Sequence, residues 1–299
     1  MTSSARSVRL PAGVRLSTDN TAVVLDSTAD LPDASERHAN WRTVHLYVRF
    51  GDDVFREYAD LSADDFYRRL RDAPQPPRSS QPSPADFEAA FESLSNYERI
   101  LCILLPEPLS GTIKSARLAA EPLGERVAVI DSGAISGGAV LLAECIQRRL
   151  ERGTAQEEVL ALVERYKRER GLLFTVDTLD YLVRGGRVGK AAGLAGQLLS
   201  VKPILTITDG EVTPLKRVRG RTKALAALAD IFEESTQDEP TLHVGVAHAD
   251  AERDVKDLGA RVRAKRPHAS FDLVTVLGPV IGTHGGPGTL GLFWYDDEL

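Results

Sequence analysis

Cysteine is scarce in this chain of 299 residues, which holds Cys102 and Cys145 and no other. Cys102 lies in the apolar run "RILCILL" and Cys145 inside a helical pattern, so both read as buried reduced thiols rather than a disulfide framework. No cysteine pair and no H-E-x-x-H stands where a metal would need it, and His243 and His248 fall on opposite faces of a predicted strand. Metal binding is not expected. Long apolar runs are also missing: none approaches the roughly 18 residues that span a bilayer. The first 20 residues carry arginines but no apolar h-region, which reads as a loosely docked extension and not a secretory signal. A positive charge excess is absent too. The net charge of −6 argues against a nucleic-acid binder, because neutralising phosphates needs a basic surface. Aromatics make up only 6% of the chain. The reading is of a soluble cytoplasmic protein, monomeric by default, with transient membrane contact left open.

Length and composition fit two globular domains. "TAVVLDSTADLP" is a buried strand running into a polar loop, and "RILCILLP" and "RVAVIDSG" repeat that form. Helices follow or separate them: "LSADDFYRRLRDA" capped by Ser62, a helix opened by Ser83, Pro84 and Asp86, "LSGTIKSARLAAE", and "AVLLAECIQRRLERG". Strand, polar tip and helix in repetition indicate a parallel sheet covered on both faces, a three-layer α/β/α domain over residues 21–170. "WRTVHLYVRFGDDVFREY" alternates as a hairpin, and Ser79, Ser80 and Gln81 are placed on a loop before a helix. Residues 171–299 mix antiparallel and helix-linked strands into a second, mixed-sheet α/β domain. It includes a hairpin turning at Asp209-Gly210 and a last stretch, "FDLVTVLGPVIGTH", of strand character.

Ligands of such folds bind beyond the carboxyl ends of the strands. The tips Asp26-Ser27, Ser110-Gly111-Thr112 and Asp131-Ser132 are therefore expected to gather. Ser110 opens a helix, where free N–H groups and the dipole favour a carboxylate or phosphate; capping its own helix is the plainer alternative. Gly286, Gly288 and Gly291 spell G-x-G-x-x-G, yet only eight residues follow Gly291 and no βαβ unit fits, so a dinucleotide is excluded. "GGRVGKAAG" fails as a P-loop, with Arg184 where its first glycine belongs and Ala191 where its Ser/Thr belongs. Arg184, Arg187, Lys190, Lys216, Arg217, Arg219, Arg221 and Lys223 form a local basic excess that suits an anionic partner surface.

The segments "VVLDSTADLP", "SSQPSPADFEAAF", "LSGTIKSA", "VIDSGAISGG", "TLDYLVRGGRVG", "KPILTITDGEV" and "GPVIGTHGGPGTLG" occur in order over about nine-tenths of the chain. In this combination the sequence resembles the DegV family of bacterial fatty-acid-binding proteins. The resemblance implies a two-domain α/β protein that holds one long-chain fatty acid in a buried tunnel, without a cofactor and without catalysis of its own. It also implies a partner, a fatty acid kinase subunit, that phosphorylates the bound carboxylate for phospholipid synthesis. Carried over by motif, Ser79 (threonine in the family) and Ser110 contact the carboxylate, and His284 lies close to the carboxylate or at the kinase-facing mouth. Ser80, Gly111, Thr112, Asp131, Ser132, Gly285 and Gly286 support the site. Gly285 replaces a family threonine and removes one hydroxyl. Arg184 and Arg187, with Arg219 and Arg221, are the basic residues for docking the kinase. Two other functions remain as alternatives. One is a hydrolase using Ser110 or Ser132 with His284 as base. The other is a binding protein for a different anionic small ligand.

Overall fold

A computed structural model describes residues 15–194 and 201–299. The strand Thr21–Asp26 is buried along its whole length, as a strand covered on both faces must be. It lies inside a four-stranded parallel sheet, in the order Trp41–Val44, Thr21–Asp26, Arg99–Leu104, Val127–Asp131. Strand alternation divides its side chains between two layers. Ala22, Val24, Ile100 and Cys102 pack with Phe87, Phe91 and Ile113 of the helices Pro84–Ser93 and Thr112–Ala120. Val23, Leu25, Leu101 and Ile103 share the other core with the long helix Gly137–Arg152. Both expected caps form: Ser62 Oγ accepts from Asp65 N, and Ser83 and Asp86 make a reciprocal capping box.

The second sheet is mixed and six-stranded, in the order Glu211–Arg219, Val201–Thr208, Gly171–Thr175, Leu290–Asp296, Leu242–His248, Ser270–Val276. Its last pair is parallel and the others antiparallel. The expected hairpin turns at Asp209 and Gly210, both at positive φ as a tight type I′ turn requires. One core cluster runs from Val23 and Leu25 of the first sheet through Val140 and Ile146 to Leu172, Phe174 and Phe293 of the second. The two sheets therefore share a helical layer, and the space between them is where a ligand cavity can form.

Three local readings change. Trp41–Val44 is no hairpin arm; it joins the parallel sheet, because its fully buried indole donates to Gln147 on the helix behind that sheet. The hairpin is confined to Tyr47–Phe50 and Asp53–Arg56. Ser79 and Ser80 are not loop residues: Arg78–Ser80 is a short strand paired with Tyr47–Arg49. The stretch after Val276 is not strand. Pro279–Gly285 is a short helix with proline at its start. Two buried carboxylates take its first N–H groups: Gly278 N donates to Asp30 Oδ1 at 2.8 Å, and Val280 N to Glu57 Oε1 at 2.7 Å. Of the N-terminal extension, Arg15–Leu16 pairs with Thr154–Ala155; residues 1–14 lie outside the described part. No helix among the described residues is long and apolar enough to cross a membrane.

Candidate functional site

A cavity of about 340 Å³ lies between the second sheet and the ends of the first. Most of its wall is apolar: Leu46, Leu105, Leu109, Leu172, Phe174, Ile207, Leu277, Val280 and Phe293 all face it. Ser79, Ser80, Gln81, Ser110, Arg187 and His284 bring polar groups to the wall from four separate segments, and Ser136 and Thr289 also line it. An apolar slot with a few convergent polar groups is the general form of a site for an amphipathic small ligand.

The centre of the polar end is a hydrogen bond between Ser79 Oγ and His284 Nε2, 2.7 Å long. The strand Arg78–Ser80 brings the serine and the helix Pro279–Gly285 brings the histidine. Burial, with the nearby Arg187 charge, lowers the His284 pKa to about 4, so the ring is neutral at pH 7. Its Nδ1 has no hydrogen-bond partner among the described residues and lies against Gly185, where a Cβ would come within 2.1 Å of it. Among the described residues no carboxylate orients this histidine as a catalytic base is oriented.

Ser110 does two things. Its Oγ accepts from Thr112 N at 3.3 Å, one residue ahead of the Gly111 cap position, and it also faces the cavity while sharing a 2.8 Å bond with Thr112 Oγ1. Arg187 reaches the polar end with its guanidinium fixed by two carbonyls, Leu109 O at 3.0 Å and Gly185 O at 2.7 Å. Gln81 was not singled out in the sequence, although it stands inside the matched "SSQPS" segment. It lies flat on Gly111, where any Cβ would collide with its side chain at 2.0 Å, and it donates to Ser115 Oγ at 3.0 Å. The conformational need for Gly111 is thus a need for room.

The remaining expected residues divide. Gly285 lines the cavity, and Thr289 Oγ1 fills the space beside it, 2.8 Å from where a Cβ would stand. That hydroxyl donates to the carbonyls of Gly285 and Gly286. Thr112, Asp131, Ser132 and Gly286 do not line the cavity. Asp131 accepts from Glu107 N and Gly133 N, and Ser132 is closed on Ala134, so these two hold the loop ends of the first sheet. Gly286, at positive φ, packs on Tyr181. Arg184 stands in an outer cleft with Arg78 and Tyr181 that shares Ser79, Arg187 and His284 with the cavity. Arg219 and Arg221 line neither; Arg221 is paired with Asp254 at 2.8 Å and Asp177 at 3.5 Å. His284 is paired with Ser79 and not with Ser110 or Ser132, so the serine–histidine pairing that a hydrolase was expected to use does not form.

The family profile described as "Uncharacterised protein, DegV family" matches residues 20–297. The chain belongs to the DegV family. A Thermotoga maritima DegV relative named "Fatty acid-binding protein" is 37% identical over 277 residues, 90% of this chain and 95% of that protein. A Thermus thermophilus DegV family structure described by its fatty acid binding is 34% identical with a TM-score of 0.88, covering 93% of this chain and 99% of that one. The Streptococcus pneumoniae Fatty Acid Kinase (Fak) B3 protein, solved loaded with linoleic acid, shares the fold at 24% identity. Its TM-score is 0.80, with 93% of this chain and 100% of that chain covered. DegV relatives are thus described as fatty-acid-binding proteins, and the two-domain α/β fold is theirs.

Proposed function

We propose that this DegV protein binds one long-chain fatty acid, tail in the apolar cavity and carboxylate at the Ser79, Ser110 and His284 end. It would then present that carboxylate to a separate fatty acid kinase. The observation that carries the first half is the Ser79–His284 pair in the wall of a mostly apolar cavity. Each buried methylene contributes about 0.8 kcal/mol, so the tail supplies affinity. A carboxylate moved from water needs donors, and the hydroxyls of Ser79 and Ser110 with the Arg187 guanidinium can supply them. The second half is supported by the outer cleft. There Arg78 and Arg184 stand where an incoming phosphoryl donor and its protein would meet the carboxylate. The acyl-phosphate formed would feed phospholipid synthesis.

Denaturing extraction of the purified protein followed by mass spectrometry is expected to release about one fatty acid per chain. Protein that purifies empty and takes up neither oleate nor palmitate would end the proposal. Ser110→Ala is expected to weaken binding by roughly 1–3 kcal/mol, the range for a charged hydrogen bond. Unchanged affinity would remove Ser110 from the carboxylate contacts. With a partner kinase and ATP, Arg184→Glu is expected to slow acyl-phosphate formation while fatty-acid affinity stays level; equal rates would remove Arg184 from the docking surface.

A further inference from the structure

The cavity has a built floor. On the strand Leu290–Asp296 and the residue before it, alternate positions share one face. Thr289, Gly291 and Phe293 line the cavity, whereas the next residue of that face, Tyr295, packs on Tyr166 with ring centroids 4.7 Å apart. The lined stretch therefore stops at Phe293. Thr289 is at the polar end, bonded to Gly285 O beside His284. Four residues of strand place Phe293 roughly 13 Å farther along. Phe293 pairs directly with Leu172, and the register of the neighbouring strand sets Ile207 next to Leu172. These three side chains form one row across the sheet at the far end.

Phe293 is held there by missing side chains on both sides. A Cβ on Gly291 would meet its Cζ at 2.7 Å, and one on Gly137 would meet its Cδ2 at 2.8 Å. Gly138 adds a third close wall, 3.3 Å from Cδ1. The ring is clamped between a strand glycine and the two glycines that open the helix Gly137–Arg152. None of these glycines is at positive φ, so the backbone does not demand them. The room for an aromatic ring does. A ring with no freedom to swing aside is a fixed stop for whatever enters from the polar end.

We propose that Phe293, set by Gly137, Gly138 and Gly291, is the tail stop that limits acyl chain length in this protein. This rests on the fatty-acid reading above. Shortening the ring opens space beyond the row, and adding a methyl group behind the ring at Gly137 pushes it into the cavity. The two changes act with opposite sign.

The test is a titration of delipidated wild type, Phe293→Ala, Phe293→Leu and Gly137→Ala with straight-chain saturated fatty acids differing by two carbons. Each variant's fold is checked by circular dichroism. The best-bound length is expected to rise by two carbons or more in Phe293→Ala, less in Phe293→Leu, and to fall in Gly137→Ala. The acid two carbons beyond the wild-type optimum should bind Phe293→Ala about tenfold tighter than it binds wild type. Folded variants with the wild-type length profile would overturn the stop while leaving fatty-acid binding intact. A wild type that binds none of the acids would overturn both. Should Phe293→Ala not fold, Phe293→Leu and Gly137→Ala decide the question by the same opposite shifts.

Discussion

Replacing Asp297 by alanine is expected to destabilise the protein by about 3–5 kcal/mol, the largest single loss anticipated for this chain. The Asp297 side chain is fully buried near the C-terminus, yet it is charged. Burial alone would raise its pKa; hydrogen bonds from Arg149 and Arg148 outweigh that and lower it to about 2. Arg149 Nη2 approaches Asp297 Oδ1 at 2.7 Å, Arg148 Nη2 approaches Oδ2 at 3.0 Å, and Arg165 stands at 3.8 Å. Removing the carboxylate leaves Arg149, itself mostly buried, without its counter-charge. The exposed ion pairs elsewhere, such as Lys256 with Glu252, contribute little by comparison. Equilibrium denaturation of Asp297→Ala measures this directly. A loss below about 1 kcal/mol would show that the pair is solvated and the argument from burial wrong. The consequence reaches the site, because Asp297 ties the strand that carries Phe293 to the helix whose first glycines hold its ring.

The second large effect concerns pH. Asp30 and Glu57 are buried together at the start of the helix Pro279–Gly285. Burial raises Asp30 to about 7, against hydrogen bonds that pull it down. Burial and then the Asp30 charge raise Glu57 to about 8. Asp26, buried beside them, is raised in the same direction by burial. In the unfolded chain these acids titrate near pH 4. The folded protein therefore holds protons that the unfolded chain has released, and the sign follows. Stability from this cluster is fully present below about pH 4 and declines as pH rises through 7 to 8, by up to roughly 1.4 kcal/mol per pH unit for each proton retained. Asp297 has the opposite sign and loses its contribution only as pH falls toward 2. Thermal melts are thus expected to show this cluster's contribution highest near pH 4 and lost by about pH 8.

Glu57→Gln should flatten that fall. The amide oxygen can still accept from Val280 N, as Glu57 Oε1 does, and the amide cannot ionise; its NH2 stands where Glu57 Oε2 accepts from Ser27 Oγ. A variant whose melting temperature drops between pH 6 and pH 9 as steeply as wild type would refute the role of this pair. Because both carboxylates hold the helix that ends in His284, fatty-acid retention is expected to weaken as they ionise between about pH 7 and 8.

Much of this protein was legible without coordinates. Buried strands ending in polar tips announced the parallel sheet, since a strand apolar on both faces has no other place. Ser83-Pro84-Asp86 and Asp209-Gly210 announced a helix start and a turn, because their chemistry is local. The ordered DegV segments named the family and picked out Ser79, Ser110 and His284, which the fold gathers into one polar end. Other features depended on residues far apart in the chain. Pro279–Gly285 was unreadable as a helix because Asp30 and Glu57, more than 220 residues upstream, satisfy its first N–H groups. Trp41–Val44 looked like a hairpin arm until Gln147, 106 residues away, took its indole N–H. The pairing of His284 with Ser79 spans 205 residues. Local pattern determined most of the strands, helices and turns, and the family resemblance named the residues expected at a carboxylate. Only tertiary packing decided which of those hydroxyls reach the cavity, that burial raises the pKa of the buried acids, and that three glycines pack against one phenylalanine. Each of those depends on burial and close contact between distant segments, and no spacing along the chain encodes that.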